Sequence, residues 1–253
     1  TTNSPEVVEL QKKVLKNILE HHDLDCRNCL RTGNCELQEI QHVLRMTKDP
    51  AEAKRKLEPV AEDGIIIRDH NKCVRCGRCI AVCEQTQGIG AIRMEGEGMD
   101  GKVIPAKGAT LEESGCVNCG QCISVCPVGA LRERDDTDEI FDLIADPEKY
   151  VVVQVAPSVR ASIGEVFGYP IGSETKGKLA AAMRALGFDR VFDTVLGADL
   201  TIMEEATELI GRMKKDCNMP MFTSCCPGWI SYCENNHKEL LDQLSSCKSP
   251  QQM

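Results

Sequence analysis

Cys73-Val74-Arg75-Cys76-Gly77-Arg78-Cys79-Ile80-Ala81-Val82-Cys83 and Cys116-Val117-Asn118-Cys119-Gly120-Gln121-Cys122-Ile123-Ser124-Val125-Cys126-Pro127 carry the same C-x2-C-x2-C-x3-C spacing twice in one chain. In such a run three thiolates on a tight loop hold one cubane cluster, and the fourth reaches the other cluster of the pair. The spacing therefore predicts one 4Fe4S site at Cys73, Cys76, Cys79 and Cys126, and a second at Cys83, Cys116, Cys119 and Cys122. Structural zinc favours two separated C-x2-C pairs, and disulfides do not need a doubled run.

The rest of the composition bounds the context of that module. The chain has 253 residues, 42% of them hydrophobic, which suits two or three globular domains. Its longest apolar runs, such as Ile65–Ile67 and Val151–Val153, fall far short of the roughly 20 residues that span a bilayer. A net charge of −9 argues against a nucleic-acid partner, whose phosphates call for clustered Lys and Arg. Sixteen cysteines, mostly at metal-ligand spacing and with no signal segment, point to a reducing, anaerobic cytoplasm. The start at Thr1 and the stop at Met253 read as those of an internal segment.

Before the doubled run, Ser4-Pro5-Glu6 reads as a helix start: capping hydroxyl, proline at the first helical position, early acid. Val7, Leu10, Val14, Leu15, Ile18 and Leu19 follow at helical spacing and deliver His21 and His22 to a loop. There His22, Cys26, Cys29 and Cys35 form H-x3-C-x2-C-x5-C ahead of a second amphipathic helix. The same set would suit zinc; the neighbouring cluster pair favours a third 4Fe4S centre, with His21 solvated or outside the ligand set. Charged residues from Lys48 to Glu62 read as a linker or exposed helix. Gly64–Asp69 reads as a strand, and Ile92–Met94 with Val103–Ile104 as a hairpin inserted between the cysteine runs.

From Tyr150 the texture changes to short apolar runs alternating with helical stretches. Strands are expected at 151–155, from 190 and at 219–223. Helices are expected at 176–186, closed by Gly187, from about 200 to 215, and from Pro227. This pattern implies an open parallel sheet, with ligands beyond the carboxyl ends of its strands. Two loops occupy those ends, Ala156-Pro157-Ser158 and Thr223-Ser224-Cys225-Cys226-Pro227-Gly228-Trp229. Adjacent cysteines cannot easily ligate one small cluster, so one of the pair should have another task. Cys217, Cys233 and Cys247 read as ordinary thiols. The expected fold is α+β and multidomain: a one-His, three-Cys helical domain over 1–62, a two-cluster ferredoxin-like domain over 63–138, and part of an α/β parallel-sheet domain over 139–253.

The phrase at 223–229 resembles the first active-site motif of iron-only (FeFe) hydrogenase catalytic subunits of the multi-cluster type, and the resemblance covers essentially the whole chain. The His22 region is also similar to the large cluster-bearing subunit of NADH:quinone oxidoreductase. The hydrogenase family implies an H-cluster, a 4Fe4S cubane joined through a cysteine sulfur to a two-iron centre with CO and cyanide ligands. By that resemblance Cys226 is a cubane ligand and Cys225 the thiol that exchanges a proton with the two-iron centre. Ala156, Pro157 and Ser158 would border the cofactor, with Ser158 bonding a cyanide, and Gln251 would lie near the pocket. Glu205, Glu208, Arg212 and Ser245 match a proton relay; from spacing alone Glu208 and Arg212 are only an i,i+4 surface pair, whereas in a relay burial would raise the carboxyl pKa toward working pH. Asp23 stands where the family commonly has proline. The other three cubane cysteines would lie beyond Met253, and a 2Fe2S domain of larger members would lie before Thr1.

The implied function is reversible conversion of protons and electrons to H2, with three 4Fe4S clusters in this segment relaying electrons. The partners would be ferredoxin or flavin- and NAD(P)-binding subunits. The expected order puts the Cys73 centre nearest the H-cluster, the Cys83 centre next and the His22 centre outermost. The competing readings are a non-catalytic electron-transfer subunit of an NADH dehydrogenase-like complex, which leaves the 223–229 motif unexplained, and a hydrogenase-like sensor or maturation protein, which would have less need of Cys225.

Overall fold

The computed structural model describes residues 2–46, 57–62, 64–215 and 217–253, so most of the charged stretch read as a linker lies outside the described residues. The chain divides into two compact units, Thr1–Arg134 and Asp135–Met253. Among the described residues no helix is long and apolar enough to cross a membrane.

The first unit opens with α1 (Pro5–Glu20), whose N-terminus is capped as the sequence suggests: the Ser4 side chain accepts from the Val7 amide at 3.5 Å. α2 (Glu36–Val43) follows the cysteine loop, with Cys35 at its N-cap. The strands β1 (Ile66–Arg68) and β4 (Leu131–Glu133) pair antiparallel, Ile66 facing Glu133 and Arg68 facing Leu131. This brings the two ends of the doubled cysteine module together. Between them, β2 (Ile92–Glu95) and β3 (Lys102–Pro105) form the antiparallel hairpin expected from the sequence. Two four-residue helices, α3 (Arg78–Ala81) and α4 (Gln121–Ser124), carry the third cysteine of each run, Cys79 and Cys122.

These elements share one core. Leu15, Leu19 and Leu37 from the helices pack with Ile66, Ile92, Val103, Leu111, Val128 and Leu131. The helical region is tied to the cysteine module at named points. The Asp23 amide donates to the Asn71 carbonyl at 2.8 Å, and the Glu36 amide to the Pro127 carbonyl at 3.1 Å. The Arg31 guanidinium donates to the Cys126 carbonyl at 2.7 Å, and Arg78 makes a bidentate pair with Glu36 at 2.6 and 2.8 Å. That pair is half exposed and contributes little. Leu57–Glu62 is held too, Glu58 exchanging two 2.8 Å bonds with the Asn71 side chain.

The second unit begins with α5 (Thr137–Ala145) and then a parallel pair, β5 (Val152–Val155) against β6 (Arg190–Asp193). The crossover consists of α6 (Pro157–Val166) and α7 (Lys176–Leu186), the latter closed by Gly187 at φ 110°. α8 (Val195–Lys215) starts about five residues before the point that the apolar spacing suggests, and α9 (Pro227–Asn236) starts at its proline. The expected third strand is not built. Phe222 makes a single parallel bridge to Leu244, not to β6. Pro220 has no amide hydrogen to give a ladder, and the extended chain at 243–245 takes up both backbone groups of Phe222. Ala156-Pro157-Ser158, read as a loop, is the start of α6, with proline where the first amide needs no partner. Buried apolar side chains are few here: Leu179 and Cys233 among the described residues.

A close approach between the histidine loop and the cysteine module lies at Gly129, where a Cβ would meet the Cys29 sulfur at 2.8 Å. Gly129→Ala is expected to push the His22 loop off the cysteine module and to cost roughly 1–3 kcal/mol in urea unfolding of the iron-loaded protein, as overpacking does. A variant as stable as the parent would contradict this packing.

Candidate metal centres and active site

Each cysteine run gives three thiols to one cavity and its fourth to the other. Cys73, Cys76, Cys79 and Cys126 line the first cavity, and Cys83, Cys116, Cys119 and Cys122 line the second. The loops achieve this with matched left-handed turns, at Arg75 and Gly77 in one and at Asn118 and Gly120 in the other, φ lying between 54° and 73°. Glycine takes this conformation at no steric cost, which lets the third thiol swing back toward the first two. Among the described residues no three His, Cys, Asp or Glu side chains converge as they would on one metal ion; the thiols ring a space.

The electrostatics fit a cationic guest. Burial, and after it the neighbouring thiols, pushes Cys79 up to about 12 and Cys122 up to about 11. Burial raises Cys73 and Cys116 as well. Thiols that resist ionising alone become ligands when iron supplies the opposing charge. Backbone amides already point at two sulfurs, Arg75 N–H at Cys73 (3.4 Å) and Ala91 N–H at Cys83 (3.3 Å). Such bonds stabilise thiolate charge and tune cluster potential.

In the histidine loop His22 is 7% exposed, whereas His21 is partly exposed and its Nδ1 bonds the Asn17 carbonyl at 2.9 Å. Cys26, Cys29 and Cys35 are all partly buried. Thr32 donates its hydroxyl to the Cys26 carbonyl and its amide to the Cys29 carbonyl at 3.0 Å, curling the loop. The order of sites expected from the sequence needs correction here. The histidine region touches the module around Asn71 and Cys126–Gly129, so its neighbour is the Cys73 cavity and not the Cys83 cavity. The reason is local: the turn after Cys126 presents carbonyls and a glycine that no side chain shields.

In the second unit Cys225 and Cys226 are both exposed, Cys226 forming the N-cap of α9. Ser158 is exposed in the first turn of α6, and the Gln251 carbonyl accepts from the Gln154 side chain at 3.0 Å, beside the strand that leads into Ala156-Pro157-Ser158. Glu208, Arg212 and Ser245 form one network. Ser245 Oγ donates to Glu208 Oε2 at 2.7 Å, the Ser246 amide donates to the same oxygen at 3.1 Å, and Arg212 Nη2 donates to Oε1 at 2.7 Å. Arg212 also reaches the Asn218, Gln243 and Leu244 carbonyls, so it is no free surface partner. The expectation of a raised Glu208 pKa is overturned. Burial pushes it up, but the bonds from Ser245, Ser246 and Arg212 outweigh this and hold it below its ordinary value. Glu205 stands apart from the network, its Oε1 buried without a partner among the described residues. Sequence reasoning passed over Ser224, whose hydroxyl donates to the Cys247 carbonyl at 2.7 Å; its place just before the cysteine pair was the available signal.

Comparison with known proteins agrees with this layout. Residues 149–253 match the iron only hydrogenase large subunit, C-terminal domain, residues 72–130 a 4Fe-4S dicluster domain, and residues 11–50 the NADH-ubiquinone oxidoreductase-G iron-sulfur binding region. The class so defined is a multi-cluster iron–sulfur protein joined to a hydrogenase domain. Over its whole length the chain is a homologue of the iron-only hydrogenase large subunits. It is 42% identical to the NADP-reducing hydrogenase subunit HndD of Solidesulfovibrio fructosivorans and 45% identical to iron hydrogenase 1 of Clostridium pasteurianum, with all of this chain aligned. It spans 44% of the length of each. A solved FeFe-hydrogenase of Chlamydomonas reinhardtii is 46% identical over 47% of this chain and 31% of its own, with a TM-score of 0.44.

Because Glu208 titrates below its ordinary 4.5, its network stabilises the fold fully above that pH and loses the contribution as pH falls through the lower folded value. Glu208→Gln is therefore expected to melt earlier at neutral pH, by about 1–3 kcal/mol for lost charged hydrogen bonds. The gap to the parent should close in acid. A gap that widened in acid would contradict the assignment.

Proposed function

We propose that this chain is part of an FeFe hydrogenase that interconverts H2 with protons and electrons, and that it passes the electrons along three 4Fe4S clusters to ferredoxin or to flavin- and NAD(P)-binding subunits. The observation that carries the reading is the hydrogen-bonded line from the Thr223–Trp229 turn through Ser245 to Glu208 and Arg212. A solvated helix pair would not need a buried serine and two further backbone amides.

In this reading Cys73, Cys76, Cys79 and Cys126 hold one cluster, Cys83, Cys116, Cys119 and Cys122 a second, and His22, Cys26, Cys29 and Cys35 a third. Electrons would step from the His22 site to the Cys73 site and then to the Cys83 site, an order supported by the docking of the histidine loop against Cys126–Gly129. Cys226 would anchor the cubane of the H-cluster, with Ala156, Pro157, Ser158 and Gln251 around it. When bound, the H-cluster supplies the metal chemistry that splits or forms H2. The protein's own part is to move the proton. Cys225 carries it at the exposed turn, Ser245 passes it between donors and acceptors, and Glu208 receives it as a carboxylate held ready by Arg212. Glu205, with an unmatched buried oxygen, would join this path through water. A 2Fe2S domain elsewhere in the full-length protein, and a cytoplasmic setting, accord with this role.

Cys225→Ala in the matured full-length protein is expected to abolish most H2 evolution while infrared bands of metal-bound CO and cyanide persist. Unchanged turnover would remove Cys225 from the relay, and a parent protein without those bands would sink the hydrogenase reading. For the wire, Cys126→Ala should disturb the same paramagnetic signal as Cys73→Ala, and Cys83→Ala a different one. His22→Ala should alter only the outer cluster's signal.

A further inference from the structure

The segment that leads into the cysteine pair is laced to the chain at 243–247 by three bonds in succession. The Phe222 amide donates to the Gln243 carbonyl at 2.9 Å, and the Ser245 amide donates to the Phe222 carbonyl at 2.7 Å. The third is made by a side chain, the Ser224 hydroxyl to the Cys247 carbonyl at 2.7 Å. Ser224 is 7% exposed, whereas Thr223, Cys225 and Cys226 around it lie at the surface. Among the described residues no backbone bond continues the pairing past Phe222, because the bridge at Phe222–Leu244 is isolated. The serine side chain therefore extends the lacing to the residue just before the relay thiol. Its acceptor belongs to the residue whose amide donates to Ser245 Oγ at 3.1 Å, and Ser245 in turn donates to Glu208.

We infer that Ser224 is a positioning residue of the proton relay: its buried hydroxyl keeps the Cys225 thiol in register with Ser245 and Glu208. This rests on the reading of Cys225 as the relay thiol. A hydroxyl held between two peptide segments fixes their offset, and loss of about an ångström of register is enough to cost a proton transfer much of its rate. Burying the serine away from water makes the bond costly to leave unmade, so the register is stiff.

The test compares Ser224→Ala, Ser224→Thr and Cys225→Ala in the full-length protein. Matured Ser224→Ala is expected to keep its CO and cyanide bands, to lose roughly ten- to a hundredfold in H2 evolution, and to show a larger solvent deuterium isotope effect than the parent. Ser224→Thr, which keeps the hydroxyl, should restore both. A second readout needs no cofactor. Carbamidomethylation of Cys225 in the unmatured chain, followed by peptide mass at fixed pH, should speed up several-fold in Ser224→Ala and return to the parental rate in Ser224→Thr. That measurement decides the matter even if Ser224→Ala fails to take up the H-cluster. Parental alkylation and isotope effect in Ser224→Ala would overturn the inference while leaving Cys225 in place. Full turnover in Cys225→Ala would overturn the relay reading itself, and this inference with it.

Discussion

Four thiols facing one buried space are the constraint on which the first unit depends. Thiolates repel one another and resist burial, so on their own they remain protonated, and the raised values at Cys79 and Cys122 express that resistance. Iron bound there would reverse the sign of the problem by placing positive charge at the centre of each ring. The interleaving of the two runs, three thiols from one loop and one from the other, then makes each site a crosslink between the halves of the module. Neither half can be completed without the other. The core of Ile66, Ile92, Val103 and Leu131 packs with the cysteines of the same loops, so metal bound there would be coupled to folding.

That coupling extends outward through unshielded backbone. The turn after Cys126 offers the Cys126 and Pro127 carbonyls and the bare Cα of Gly129, and the histidine loop with the start of α2 uses all three. A thiol lining one cavity and the glycine under the histidine loop therefore belong to one short stretch of chain. These backbone contacts seat the helical region against the module, with which it shares a core.

Local chemistry made much of this legible. The capped start of α1, the glycine stop of α7 and the hairpin at 92–105 depend on residues close in sequence, and all formed as read. What escaped the sequence depends on distant partners or on weak local signals. α6 opens with proline and holds two serines and a glycine, a poor helix by propensity that tertiary packing retains. The segment at 219–223 has strand composition, yet residues 243–245 claimed its only bridge. Glu208 and Arg212 looked like a surface pair by spacing. Their depth became visible only when Ser245 and the Gln243 and Leu244 carbonyls, from far along the chain, arrived.

The lowered pKa of Glu208 changes how such a relay would work. An ionised carboxylate can only accept, so the Ser245 hydroxyl must donate to it, and the Cys247 amide must donate to Ser245. A serine oxygen accepts two bonds, which leaves one position on Ser245 for an incoming thiol or water. Every group in the line is thereby polarised in one direction, toward Arg212. A carboxyl with a raised pKa would hold its proton and block that direction until it ionised. A carboxylate kept charged by arginine accepts the Ser245 hydrogen bond continuously, but because transfer is most efficient near working pH, its protonated form would be a sparsely populated step of the relay. Arginine is suited to this place because it stays charged throughout and its fork spans the carboxylate and the backbone carbonyls at once.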